Sequence, residues 1–273
     1  NDCDLKNCDH INFKKCKCTR TTLLIFQSGN IIITGGGRGI GADASRLLAS
    51  EGANIILTCE RKEEGFSVEK EIKGNGGSAK YIEHDVTSES DWENVISQAS
   101  SEFGHIDSIV NSAGSFISQS MESSSLKEFK DVINQNLTGS FLGLKYGTKA
   151  IREHGNGGSI VMISSVLGKV GVSNATAFCA AQGGIRLLAK AGACELGPEK
   201  IRVNSIHPGL TDIDISKTFS GDVDEDQYIK SNIPLNRKAT SEEIAKTILF
   251  LVSESSFFIT GAELTIDGGM SAR

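Results

Sequence analysis

The chain has 273 residues, a net charge of −6, 38% hydrophobic and 23% charged residues. This is the composition of a globular protein, long enough for one large domain and too short for two of ordinary size. The acidic balance gives no electrostatic case for nucleic acid, and no apolar run approaches the ~20 residues that a membrane span needs.

Residues 1–28 differ in composition from everything after them and are expected to be a poorly ordered or atypical N-terminal extension, with a single domain over residues 29–273. Cys3, Cys8, Cys16 and Cys18 lie here with His10, but their spacings do not form a paired Cys-x2-Cys pattern, so no metal site is expected. The run Thr21 to Phe26 is too short for a span and lacks the basic–apolar–small order of a secretory signal, which points to a cytoplasmic location. Cys59, Cys179 and Cys194 read as small buried hydrophobes.

From Asn30 onward, short β-branched runs alternate with helical stretches. Strands are expected at Ile31–Ile33, Asn54–Thr58, Ala79–Glu83, Ile106–Val110, Ser159–Ile163, Ile201–Ile206 and Glu263–Ile266. Helices are expected at Gly39–Ser50, Glu63–Lys73, Ser90–Phe103, Leu126–His154, Thr176–Leu196 and Glu242–Val252. Ser220 to Asp226 is acidic and reads as a mobile lid or solvated turn. Uninterrupted runs such as Ile31-Ile32-Ile33 suit parallel strands, which are buried on both faces. The alternation therefore implies an α/β fold, a Rossmann-like doubly wound parallel sheet of about seven strands with helices on both faces. Such sheets bind ligands beyond the carboxyl ends of their strands.

Thr34-Gly35-Gly36-Gly37-Arg38-Gly39-Ile40-Gly41 follows the first strand and opens the first helix. Glycine permits the tight turn and a close backbone approach to a pyrophosphate, and the helix N-terminus offers free N–H groups. Glu60 follows the second strand, where an acidic side chain accepts from ribose hydroxyls and repels a 2′-phosphate. Arg38 and Arg61 could instead pair with that phosphate. NAD(H) is favoured over NADP(H) on this balance.

The glycine spacing resembles that of the short-chain dehydrogenase/reductase family, and further matches follow in order. They are Asp85-Val86, Asn111-Ser112-Ala113-Gly114, Asn136 in Asn-Leu-Thr-Gly, Ser165 thirteen positions before Phe178, Pro208-Gly209, and Ile266-Asp267-Gly268-Gly269. The resemblance covers about residues 28–273 and looks closest to the secondary alcohol, cyclopentanol and hydroxysteroid dehydrogenases. It implies adenine beside Asp85 and Val86, the pyrophosphate at Gly35, Arg38, Gly39, Ile40 and Gly41, cofactor contacts at Asn111, Ala113 and Gly114, and nicotinamide near Pro208, Gly209 and Thr211. It also implies catalytic roles for Asn136 and Ser165, an alcohol or ketone substrate, and a homo-oligomer, tetramer or dimer. The long helix with Gly139, Gly143 and Gly147 and the Ala/Gly-rich helix after Thr176 resemble the family's subunit-contact helices, though their small residues could equally serve internal packing.

Two positions depart from the family's Tyr-x-x-x-Lys. The Tyr position is Phe178 and the Lys position is Gln182. A third departure is Ile213, where the family often has Thr. A phenyl ring has no exchangeable proton, and an uncharged amide cannot lower a neighbour's pKa, although it can hydrogen-bond a ribose. Of the three tyrosines, Tyr81 lies in a strand, Tyr146 on the long helix, and Tyr228 in the segment that covers substrate in the family. The chain is thus expected to be an NAD(P)(H)-dependent oxidoreductase with impaired or non-standard catalysis. The alternatives are a catalytically silent homologue that binds nucleotide or a protein partner, and a repurposed lyase or isomerase.

Overall fold

The computed structural model describes residues 29–212 and 224–272. The expectations for residues 1–28, for Ile213 and for the first part of the acidic segment lie outside the described residues. The strands are β1 (Asn30–Thr34), β2 (Asn54–Cys59), β3 (Ser78–Glu83), β4 (Ser108–Asn111), β5 (Gly158–Ile163), β6 (Ile201–Pro208) and β7 (Glu263–Ile266). They form one sheet in the order β3-β2-β1-β4-β5-β6-β7, with every pairing parallel. The chain reverses its direction of growth between β1 and β4, and this switch point opens a crevice above the carboxyl ends of those strands.

The helices are α1 (Gly39–Ser50), α2 (Lys62–Gly74), α3 (Glu89–Phe103), α4 (Leu126–Ile133), α5 (Gly139–Arg152), α6 (Thr176–Leu196), α7 (Glu225–Asn232) and α8 (Ser241–Val252). Successive residues of β1 face opposite sides of the sheet. Ile31 and Ile33 pack with Leu48, Val68, Ile244 and Ile248 of α1, α2 and α8, whereas Ile32 packs with Val95, Leu144 and Ile185 of α3, α5 and α6. All three isoleucines are fully buried, so the β-branched run fills two cores at once.

The expected helix Leu126–His154 is in fact two helices joined by a π-turn at Asn134–Thr138. The cause is local: Asn136 Nδ2 donates to the carbonyl of Val132 at 2.8 Å, competing for the acceptor that the regular ladder would use. The glycines of this region pack inward. A Cβ on Gly143 would sit 1.9 Å from Asn111 Oδ1, and one on Gly147 would sit 2.5 Å from Ile109 Cγ1. The glycine stripe therefore lets α5 lie against β4 rather than forming a contact surface. Two further expectations are corrected. Glu225 and Asp226 open α7, capped by the Asp224 side chain, instead of belonging to a loop. Cys194 is exposed, while Cys59 and Cys179 are half-buried.

Candidate active site

The first βα turn is closed by contacts that only glycine allows. Gly35 has φ +66°, and a Cβ there would lie 3.0 Å from the Ala113 backbone. Thr34 Oγ1 accepts from the N–H groups of Ser112 and Ala113 at 3.0 and 3.1 Å, which joins the end of β1 to the end of β4. Gly41 does not line the cleft. Its role is to let α1 approach the turn, since a Cβ would be 2.3 Å from the Gly35 carbonyl oxygen.

Above this turn runs a cleft of about 520 Å³. It is bounded by Gly35, Arg38, Gly39 and Ile40 at the α1 N-terminus, by Glu60 and Val86 at one end, and by Asn136, Ser165, Phe178 and Gln182 at the other. Ala113, Gly114, Pro208, Gly209 and Thr211 complete its walls. Asp85 and Asn111 are not on the cleft wall. Asp85 Oδ1 accepts from the Thr87 N–H and hydroxyl, each at 2.8 Å, and Asn111 is buried beneath α5.

At the outer end, the Arg61 guanidinium is held by Glu64 at 2.8 Å, while Glu60 receives only a long contact from Gln135 at 3.4 Å. His84 lies beside them, 1% exposed, with Nδ1 2.9 Å from Thr58 Oγ1 and its ring edge-to-face with Trp92. Burial pushes its pKa down to about 4, so the ring is uncharged at neutral pH.

At the inner end, Asn136 has both amide hydrogens and both oxygen lone pairs engaged. Nδ2 donates to the carbonyls of Ser115 and Val132 at 2.9 and 2.8 Å; Oδ1 accepts from the Ser115 N–H at 3.2 Å and from Gln182 Nε2 at 3.3 Å. The Asn136 carbonyl accepts from the Ser140 hydroxyl at 2.7 Å. Gln182 is 4% exposed, and its Oε1 has no partner. Phe178 packs edge-on to Phe116 with centroids 5.1 Å apart, in a cluster with Val166, Leu167 and Ala175. Ser165 Oγ accepts from the Leu167 N–H at 3.1 Å and keeps its own hydrogen available. His207 is structural: its nitrogens face the Ser165 carbonyl and the Ser205 hydroxyl, and burial lowers its pKa.

None of the tyrosines borders the cleft among the described residues. Tyr81 donates to the Cys59 carbonyl and Tyr146 to Glu89, while Tyr228 lies on α7. Sequence reasoning missed His84, Ser115, Gln135 and the bridging role of Thr34. For Thr34 a signal existed, because it precedes the glycine turn at the end of a buried strand. The others are legible only once distant segments meet.

A dinucleotide fits these walls. The α1 N-terminus supplies free N–H groups, the Gly35 turn leaves no room for a side chain, and a buried acceptor at Gln182 lacks a partner. A family model described as enoyl-(acyl carrier protein) reductase matches residues 35–271. The trans-4-hydroxycyclohexanecarboxylate dehydrogenase of Sinomonas cyclohexanicum is 37% identical over 247 residues, covering 88% of this chain and 92% of that protein. The chain belongs to the short-chain dehydrogenase/reductase family. The cyclopentanol dehydrogenase of Comamonas testosteroni is 34% identical over 89% of this chain and 96% of its own length. A short-chain dehydrogenase/reductase from Mycobacterium marinum superposes with a TM-score of 0.87 at 31% identity, covering 92% of this chain and 98% of that one. Dehydrogenases of this family use NAD(P)(H). Among the described residues, no helix is long and apolar enough to cross a membrane.

Proposed function

We propose that this chain is a nicotinamide-dinucleotide-binding oxidoreductase for a secondary alcohol or ketone in which proton exchange is impaired. One observation carries the reading. The inner end of an otherwise complete cleft presents Phe178 and Gln182, with neither Tyr nor Lys among the described residues that line it. Ser165 would hold the substrate oxygen with its free hydrogen, and Pro208, Gly209 and Thr211 would border the nicotinamide. Gly35, Arg38, Gly39 and Ile40 would border the pyrophosphate, and Val86 the adenine. The named activities of the relatives on cyclic alcohols support a cyclic secondary alcohol as the substrate class. NAD(H) is supported over NADP(H) because Arg61 is already paired with Glu64 while Glu60 faces the cleft. Assembly as a dimer or tetramer is proposed from family membership.

A positioned acid or base contributes ~10²–10⁴ to a rate, and that factor is what the inner end lacks. The saturated hydrogen bonding of Asn136 extends the loss. Its side chain has no remaining site for a relay water, and its carbonyl is already engaged by Ser140. This saturation also favours a second reading, a catalytically silent homologue that binds nucleotide without turnover. Fluorescence titration with NADH and NADPH, followed by a turnover panel of cyclic alcohols and ketones, tests both readings. Binding with very slow turnover supports the first reading, and binding with none supports the second. Failure to bind either nucleotide would refute both, and turnover at ordinary dehydrogenase rates would refute the claim of impairment.

A further inference from the structure

The cleft wall at residues 208–211 is fastened from behind. Pro208, Gly209, Leu210 and Thr211 line the cleft where the chain leaves β6. The Gly209 N–H donates to the Ile266 carbonyl of β7 at 2.9 Å, and the Ala239 N–H donates to the Leu210 carbonyl at 3.0 Å. The Asp212 N–H donates back to the Ala239 carbonyl at 3.0 Å, so Thr211 and Ala239 pair as an isolated parallel bridge. Asp212 stands one residue beyond the wall, and its Oδ1 accepts from the Ser241 N–H at 3.0 Å. Ser241 opens α8, so this N–H has no acceptor within its own helix. The neighbouring cap is engaged elsewhere, since the Thr240 hydroxyl accepts from the Glu243 N–H at 3.2 Å. Ser241 is 8% exposed, and its hydroxyl donates to Asp43 on α1. One buried residue thus holds two sides of the cleft: the 208–211 wall through its N–H, and α1, whose N-terminus forms another wall, through its hydroxyl.

We infer that Asp212 is a positioning residue: anchored on the Ser241 N–H, it fixes the 208–211 wall relative to the α1 N-terminus and so sets the room for the nicotinamide half of the dinucleotide. This deepens the dinucleotide reading and rests on it. Without the carboxylate, the outer end of the wall keeps only its backbone bonds to Ala239. A wall that must be ordered during binding costs affinity, whereas one held in advance does not. The cost falls on ligands that touch this wall and spares those that stop at the pyrophosphate. A carboxylate that merely capped α8 would change stability and make no such distinction between ligands.

The test titrates NADH and ADP-ribose, which lacks the nicotinamide, onto wild type and three variants by calorimetry. Asp212→Ala removes the acceptor, and Asp212→Asn keeps an oxygen that can take the Ser241 N–H. Ser241→Pro removes the donor instead. Proline suits the first helical position, and Thr240 before it is already extended at φ −80° and ψ 152°, as a residue preceding proline prefers. Asp212→Ala should weaken NADH about three- to tenfold and leave ADP-ribose unchanged, while Asp212→Asn stays near wild type. Ser241→Pro should show the same NADH-specific loss, and the Asp212→Ala/Ser241→Pro double variant should lose little more than either single one, because both remove one bond. Thermal melts confirm folding, and if Ser241→Pro fails to fold the two Asp212 variants decide the matter. NADH binding unchanged in Asp212→Ala overturns the inference, as does an equal loss for both ligands or an Asp212→Asn variant no better than Asp212→Ala. Each of these results leaves the dinucleotide reading intact. A wild-type protein that binds neither NADH nor ADP-ribose overturns both.

Discussion

Restoring the missing groups gives the sharpest prediction. Phe178 and Gln182 are four residues apart on α6, so their side chains share a face with Cβ atoms about 5–6 Å apart. Phe178→Tyr alone places on the cleft wall a phenol with a pKa of about 10, ionised to roughly 1% near pH 8. Adding Gln182→Lys brings an ammonium about 6 Å away. At an effective dielectric constant of about 20 this stabilises the phenolate by about 3 kcal/mol, or roughly two pKa units. The double variant should then oxidise cyclopentanol ~10²–10⁴ times faster than wild type. It should also exceed Phe178→Tyr alone by one to two orders of magnitude, because the lysine acts through the tyrosine. The stability cost is about 1–3 kcal/mol, since the lysine replaces the amide that bonds Asn136. The assay is NAD⁺-dependent oxidation followed by NADH absorbance across neutral to alkaline pH, alongside a thermal melt to confirm folding. Wild type within tenfold of the double variant would refute the reasoning, as would a folded, nucleotide-binding double variant with no gain.

Three further outcomes are expected. Glu263 is 13% exposed and, against the opposing effect of burial, hydrogen bonds from Arg186, Lys190 and Lys169 bring its pKa to about 2. A carboxylate with a lowered folded pKa stabilises above its unfolded pKa, and this contribution fades as pH falls from about 4.5 towards about 2. Glu263→Gln should cost about 1–3 kcal/mol in neutral urea melts and flatten the acid dependence in that window; an unchanged acid profile would exclude it. His84 is a buried neutral base with its folded pKa near 4, so its protonation favours unfolding as pH drops from about 6.5 to 4. His84→Gln should remove up to about 3 kcal/mol of that pH-dependent loss, read from stability against pH, and a wild-type slope in the variant would contradict the burial argument. Gly143→Ala drives a methyl to within 1.9 Å of Asn111 Oδ1. It should lower stability by about 1–3 kcal/mol, whereas Gly74→Ala, with open space at its Cβ, should change little. Equal melting points for the two variants would refute the packing account of α5 against β4.

Most of the fold was legible because the sheet is parallel and buried. Ile31-Ile32-Ile33 must face two cores, and the glycine-rich run after it must turn sharply into α1. These are local consequences of β-branching, burial and glycine's backbone freedom, so one sequence suffices to read them. The departures at Phe178 and Gln182 were equally legible, because the identity of a residue is read directly from the chain and a phenyl ring carries no exchangeable proton. The π-turn was hidden, since helical periodicity does not reveal that Asn136 Nδ2 will take the Val132 carbonyl. The inward direction of the glycines at 139, 143 and 147 was hidden too, because spacing gives a stripe and only the neighbour that packs on it gives a purpose. The alternation of strands and helices, the glycine turn and the identities of Phe178 and Gln182 are thus properties of the sequence itself. Which lone pairs are engaged and which remain open depends on atoms dozens of positions apart meeting at hydrogen-bond distance. Only the folded chain, by bringing Ser115, Asn136 and Gln182 together, could engage every hydrogen and lone pair of the Asn136 amide and leave Gln182 Oε1 buried without a partner.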